Sequence, residues 1–261
     1  MSLFITLIQT DLVWENIDAN LVHLEEKINA IAGKTELIVL PEMFSTGFSM
    51  NPEKAAEPMD GKAIAWMKRM AIAKKVILTG SLAIEEDGKY FNRLIWMLPN
   101  GQYSYYDKRH LFGFAGEDGH YTAGNKRLIA QVKGWKINLQ ICFDLRFPVW
   151  ARQQTNGGEA EYDILLYVAN WPERRNHAWK TLLAARAIEN QCYVVGVNRV
   201  GNDGNNIYHS GDTLVINPLG EILYTKANEE AIYTIILEKE PLETIRKQIP
   251  FLKDADGFVI R

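Results

Sequence analysis

Cys142 ends a short apolar run, Lys136-Ile-Asn-Leu-Gln-Ile141, and is followed by Phe-Asp-Leu-Arg-Phe-Pro148. That layout predicts a thiol at the end of a buried strand, its sulfur facing whatever crevice lies beyond. Two other apolar runs break off in the same way, Leu37-Ile-Val-Leu-Pro-Glu42 and Tyr103-Ser-Tyr-Tyr-Asp-Lys108. In sheets flanked by helices, ligands collect beyond the carboxyl ends of the strands. A carboxylate, an ammonium and a thiol delivered to one rim would form a set of catalytic groups, so the chain reads as an enzyme. Each residue has an ordinary explanation too. Free cysteine is among the most buried residue types, Glu42 could be a solvated loop carboxylate, and Lys108 a solvated charge beside Asp107, Arg109 and His110. Cys192, within Gln-Cys-Tyr-Val-Val-Gly, has no charged neighbours and reads as inert core. Composition and spacing by themselves leave the two readings in balance.

The elements that must position these groups alternate along the chain. Leu3 to Ile8 reads as a strand; Ile17, Leu21, Leu24, Ile28 and Ile31 then recur at helical spacing, with Gly33 placed to end the helix. Glu36 to Leu40 suits a strand buried on both faces, Lys62 to Lys74 a helix, and Val76 to Ile84 a strand. Asp87-Gly88 signals a tight hairpin into Tyr90 to Leu98, and Pro99-Asn-Gly101 turns the chain into Gln102 to Tyr106. Beyond this meander come a strand at Lys136 to Ile141, a helix after Pro148, a strand at Ile164 to Val168, a helix at His177 to Asn190 and a strand at Tyr193 to Val197. A last hairpin, Thr213 to Asn217 with Ile222 to Tyr224, leads to a strand at Ala231 to Leu237 and a short helix from Glu240. The most loop-like stretch, Gly157-Gly-Glu-Ala-Glu161, is a short surface connection rather than a linker, so residues 1–261 are expected to make one domain. So many strands in one domain should split into two stacked mixed sheets covered by helices.

Composition excludes several function classes. Of the 261 residues, 47% are apolar and 23% charged, which allows a sizeable core and argues against disorder. The formal charge of −3 comes with no basic stripe, so nucleic acid is not an expected partner. No stretch is long enough to span a bilayer, and the first residues have no basic lead-in to a signal peptide. Two cysteines make no disulfide framework, which suits a reducing compartment; the cytoplasm is expected. The five histidines lack metal-ligand spacing and no phosphate-cradling glycine loop is present, so neither a metal nor a nucleotide cofactor is expected.

Three blocks, Pro41-Glu42-Met-Phe, Asp107-Lys108-Arg-His-Leu-Phe and Ile141-Cys142-Phe-Asp-Leu-Arg-Phe-Pro, resemble in order the signatures of the nitrilase (carbon–nitrogen hydrolase) superfamily. Asn170-Trp-Pro172, Ala185-Arg-Ala-Ile-Glu-Asn190 and Asn198-Arg199 extend the resemblance from Leu3 to about Leu237. Tyr167-Val-Ala-Asn-Trp-Pro172 and Lys108-Arg-His-Leu-Phe112 are similar to its bacterial ω-amidase branch. The resemblance implies an α-β-β-α sandwich and a Glu–Lys–Cys triad, here Glu42, Lys108 and Cys142. It also implies a second active-site glutamate in the loop after the lysine, for which Glu117 is the candidate, with Asp118 close by. Phe143 stands where many relatives have Tyr, with little consequence expected because the backbone is what matters there.

On that reading Cys142 attacks a carboxamide carbon while Glu42 takes the thiol proton and returns it to departing ammonia. A thioester remains, and water activated by the same carboxylate releases the acid. Lys108 and the backbone N–H of Phe143 would hold the oxyanion. The branch implies ω-amides of 2-oxo dicarboxylic acids, whose far carboxylate calls for a cation. Arg174, Arg175 and Arg186 are candidates, the alternatives being a surface pair at 174 and 175 and a structural ion pair at 186. Trp171 and Phe44 are candidate walls for the substrate's carbon stem. Competing readings are a nitrile, N-carbamoyl amino acid or other amide as substrate, a Cys–His hydrolase using His110 or His177, and a non-catalytic small-molecule binding protein on the same fold. Family members usually pair through helix faces, and a homodimer built on the helices after Pro148 and around His177 to Asn190 is expected.

Overall fold

Apolar runs in the sequence pair into two sheets stacked face to face, seen in a computed structural model that describes residues 1–155 and 159–260. The first half of the chain supplies β1 (Ser2–Gln9), α1 (Ile17–Asn29), β2 (Leu37–Val39), α2 (Pro52–Ala55), α3 (Lys62–Lys74), β3 (Ile77–Glu86), β4 (Lys89–Met97) and β5 (Tyr103–Asp107). The second half supplies β6 (Ile129–Val132), β7 (Trp135–Ile141), α4 (Pro148–Ala151), β8 (Ile164–Ala169), α5 (Asn176–Asn190), β9 (Tyr193–Asn198), β10 (Val200–Asn202), β11 (Tyr208–Ile216), β12 (Ile222–Ala227), β13 (Ala231–Glu238) and α6 (Lys239–Gln248). One sheet has the order β13-β1-β2-β3-β4-β5; the other runs β10-β11-β9-β8-β7-β6, with β12 also on β11. The centres are parallel (β1-β2-β3 and β7-β8-β9) and the edges antiparallel.

Three apolar clusters make this a four-layer stack. Leu3, Ile5, Val39 and Trp96 of the first sheet meet Ile137, Leu139, Val168 and Val195 of the second between the sheets. Ile8, Ile38 and Leu78 face outward onto Leu24 of α1 and Met67 of α3, and Leu165, Tyr167 and Val194 face outward onto Trp179 and Leu183 of α5. Strands covered on both faces read as unbroken apolar runs, as β2 and β8 do. The α-β-β-α sandwich expected from the three blocks is what the chain forms.

Most differences from the sequence reading are local. Helix α1 stops at Asn29, so Gly33 (φ +84°) serves the turn beyond it rather than the helix end. The helix after Pro148 is a single turn, because Gln153 takes over the neighbouring polar groups: its N–H donates to Asn190 Oδ1 and its side chain to Tyr162 O and Asn190 O. Strand β11 starts five residues before the predicted Thr213, hidden in the sequence by the polar run His209-Ser-Gly-Asp212. A register shift there absorbs Asp212 (φ +57°), whose carboxylate accepts from Ser210 and pairs with Lys180. The expected loop at Gly157 and Gly158 lies outside the described residues. Among the described residues no helix is long and apolar enough to cross a membrane.

Candidate active site

Strand β2 is too short to carry its pairing far, and four residues after its end the chain turns at Met43 (φ +43°), just after Glu42. Met43 N–H donates to Ser81 Oγ at 2.9 Å and Phe44 N–H to Ser81 O at 3.1 Å, which pins the turn to β3. Phe44, a candidate substrate wall, points instead into the layer beneath α3, its ring centroid 5.9 Å from that of Trp66. The absence of a side chain at Gly80 makes room for it: a Cβ there would lie 2.8 Å from both Leu40 Cβ and Phe44 Cδ1. Gly80→Ala is expected to destabilise the protein by about 1–3 kcal/mol through overpacking, read as a lower midpoint in urea, and to lower activity because the displaced residues carry Glu42.

Alternation at the end of β5 sorts Asp107, its last residue, from Lys108 just beyond it. Asp107 faces Arg93, which reaches it at 2.6 and 3.0 Å, so the Asp107 carboxylate is occupied and Lys108 points the other way. Lys108 Nζ donates to Glu42 Oε1 at 2.9 Å and to both oxygens of Glu117 at 3.0 and 2.9 Å, and all three side chains are buried. Glu117 comes from the loop after Lys108 and closes it by accepting the Phe112 N–H at 2.5 Å. Glu42 also accepts from Asn92 Nδ2 at 2.8 Å and from the Asn170 N–H at 2.7 Å. Burial opposes the Lys108 charge, but Glu117 and Glu42 outweigh it and hold the ammonium on. Burial raises the Glu117 pKa; Lys108 opposes that rise and Glu42 adds to it. Two carboxylates thus share one ammonium, and the cluster retains a proton more readily than separated carboxylates would.

Cys142 follows β7 and adopts φ +43°, a conformation costly for a side-chain-bearing residue and maintained by its surroundings. The Asp144 carboxylate is the main brace. It accepts from Ile141 N–H at 3.0 Å, from Tyr106 Oη at 2.7 Å and from both the backbone N–H and the ring Nδ1 of His110 at 2.9 and 2.8 Å. Tyr106 Oη in turn accepts from Trp150 Nε1 at 2.9 Å. Arg186, a candidate for the substrate carboxylate, braces the same turn from α5. It donates to Leu145 O at 2.7 Å and pairs with Glu189 at 2.9 Å. Buried on those partners, Arg186 is structural and does not line the cavity. Cys142 is open to the cavity on one side, yet burial on the others and the nearby Glu42 carboxylate push the thiol well above its ordinary pKa. A resting thiol, not a thiolate, faces the substrate space.

That space is a cavity of about 610 Å³ lined by the candidates Cys142, Phe143, Trp171, Arg174 and Arg175, together with Arg146. The Arg146 guanidinium lies 5.0 Å above the Trp171 ring and that of Arg175 5.1 Å above Phe112. Burial and the neighbouring Arg174 and Arg146 lower the Arg175 pKa, as expected where cations gather. Among the described residues no carboxylate pairs with any of these three arginines. Arg146 was missed in the sequence although it stands four residues after Cys142, inside the third signature block. Neither His110 nor His177 lines the cavity, whereas His209 does; burial and Arg199 lower the His209 pKa to about 4. His110 is held by Asp144 and stacked on Phe147 with centroids 3.8 Å apart, which leaves it unsuited to pair with Cys142.

Cys142 lines the cavity, the buried Glu42 carboxylate lies near enough to raise the thiol pKa, and the Lys108 ammonium sits on that carboxylate, a constellation fit for acyl transfer from an amide. Comparison with known proteins agrees. The chain is 44% identical over 255 residues, covering 97% of both sequences, to omega-amidase YafV of Escherichia coli K12. It is 32% identical over 253 residues, 96% of each, to 2-oxoglutaramate amidase of Bacillus subtilis. The solved structure of XC1258 from Xanthomonas campestris, a CN-hydrolase superfamily protein with an arsenic adduct in its active site, superposes with a TM-score of 0.97 at 41% identity over the whole of both chains. The carbon-nitrogen hydrolase model matches residues 4–246, and the chain belongs to that family.

Proposed function

We propose that this protein is an ω-amidase that hydrolyses the terminal carboxamide of a small 2-oxo acid, such as 2-oxoglutaramate or 2-oxosuccinamate, to the dicarboxylate and ammonia. The observation that carries this reading is the wall of Arg146, Arg174 and Arg175, free of carboxylate partners among the described residues, in the cavity that holds Cys142. A substrate with a carboxylate at the end remote from its amide would neutralise that wall. The names of the relatives from Escherichia coli and Bacillus subtilis support the same substrate class.

In the first half-reaction Cys142 Sγ bonds to the amide carbon as its proton passes to Glu42. Lys108 Nζ and the Phe143 N–H stabilise the oxyanion, and collapse expels ammonia carrying the proton from Glu42. Water then adds to the thioester, its proton taken by Glu42, and the dicarboxylate leaves as the thiol is restored. Glu117 keeps Lys108 in place and shares the cluster's proton.

Steady-state kinetics on 2-oxoglutaramate, 2-oxosuccinamate, glutamine and a short aliphatic nitrile test the assignment. Preference for the 2-oxo ω-amides is expected, and faster turnover of the nitrile would overturn it. Arg146→Ala and Arg175→Ala are each expected to raise KM for 2-oxoglutaramate by about 10- to 100-fold, the value of a lost charge-assisted hydrogen bond. Turnover of a neutral short-chain amide by the same variants should change little. The protein is further proposed to act in the cytoplasm and as a homodimer through α4 and α5. Val149 and Ile188 are more than half exposed on those helices, and sedimentation at a monomer's mass would remove the dimer.

A further inference from the structure

Asn92 is fully buried on β4 and has no place in the reaction just described, yet it touches most of the catalytic cluster. Its backbone carbonyl accepts the Lys108 N–H at 2.9 Å. Its side-chain amide donates to Glu42 Oε1 at 2.8 Å and to Glu117 Oε1 at 3.3 Å. Those same two oxygens accept from Lys108 Nζ at 2.9 and 3.0 Å. The two carboxylates are therefore bridged twice, once by an ammonium and once by a neutral amide. Asn92 Oδ1, by contrast, has no hydrogen-bond partner among the described residues. A buried amide with an unpaired carbonyl is a poor core residue, so the contribution of this side chain lies in its N–H donors.

We infer that Asn92 is a positioning residue that fixes the separation of Glu42 and Glu117 about Lys108 and aims Glu42 at the Cys142 thiol. Lys108 supplies the charge that holds both carboxylates, but a flexible ammonium does not by itself fix the direction in which either points. The planar amide, rooted in β4 beside the Lys108 backbone, supplies that direction. Its N–H donors hold the Glu42 and Glu117 oxygens in place, which keeps a base in reach of the thiol. The charged or titratable groups facing this pair are Lys108 from the end of β5, Cys142 at the elbow after β7 and Tyr121 beyond the Glu117 loop. This inference rests on the proposed roles of Glu42 and Lys108 but not on the identity of the substrate.

The test is the rate at which iodoacetamide alkylates Cys142, followed by mass against pH in the intact protein, alongside kcat and KM for 2-oxoglutaramate. Asn92→Leu keeps the bulk and removes the donors. Its alkylation rate at neutral pH and its kcat are expected to fall about 30- to 100-fold, part of what a placed general base contributes, with KM within about threefold because no substrate contact is lost. The alkylation profile should also move along the pH axis, since the thiol titrates against the two carboxylates that Asn92 holds in place. Asn92→Ser, which restores a donor in less volume, should recover part of both effects. Unchanged alkylation and kcat in Asn92→Leu would overturn the inference. A loss that follows a lowered melting temperature with no movement of the pH profile would overturn it as well, by assigning Asn92 a purely structural role. Should Asn92→Leu fail to fold, Asn92→Ser measured against wild type decides between the same outcomes. A wild-type enzyme that alkylates normally yet ignores 2-oxoglutaramate would count against the substrate assignment and leave the inference about Asn92 intact.

Discussion

Replacement of Cys142 by Ala is expected to abolish turnover, with a loss of at least about 10⁴-fold, the scale seen when an enzyme loses its nucleophile. Among the described residues no other cysteine lines the cavity. Cys192 is fully buried in the layer against α5, where burial raises its pKa to about 12, and it does not line the cavity. The fold should survive, because the turn is braced by Asp144, Tyr106 and Arg186 rather than by the sulfur. A thermal midpoint within a few degrees of wild type, with substrate binding still measurable by calorimetry, separates loss of chemistry from loss of structure.

Lys108→Met should have nearly as large an effect, for two reasons. It removes the proposed oxyanion donor, worth ~3–4 kcal/mol or 10²- to 10³-fold in kcat. It also leaves Glu42 and Glu117 facing one another in a buried site with no cation, and breaking a buried pair costs about 3–5 kcal/mol. The second effect has a signature in pH. The Glu117 pKa already stands above its ordinary value through burial, despite the opposing pull of Lys108. Without the ammonium the Glu117 carboxyl rises further above its unfolded value. A carboxyl group raised in the folded state favours folding at low pH and opposes it as pH rises through the folded pKa. The stability deficit of Lys108→Met should therefore be largest at neutral and alkaline pH and shrink on acidification, as followed by urea melts across pH. A deficit independent of pH would mean that the lysine is not balancing these carboxylates.

How far the sequence anticipated this site depends on which residues are followed. Glu42, Lys108 and Cys142 stood out because each ends an apolar run, and strand ends are where a stacked-sheet fold exposes functional groups, but that pattern left their roles open and only the family resemblance assigned them. Glu117 came only with the family resemblance, since a loop carboxylate has no pattern of its own. Asn92 and the Asn170 N–H were invisible: one sits within a strand whose polar residue reads as a flaw in an apolar run, and the other is a backbone group. Phe44 and Arg186 were misplaced for a common reason. Both lie close in sequence to functional blocks, but Phe44 turns into the layer under α3 and Arg186 faces the turn it braces. Proximity along the chain did not fix direction in space. The unpredicted elements β6, β10 and α2 have only three or four residues each, too few to show a period.

The most direct test is rapid acid quenching during turnover of 2-oxoglutaramate, followed by mass spectrometry of the intact chain and of its peptides. The expected result is a transient gain equal to the acyl group left when ammonia departs, carried by the peptide containing Cys142 and absent from Cys142→Ala. An adduct on another residue, or undiminished turnover in Cys142→Ala, would contradict a thioester route through this thiol.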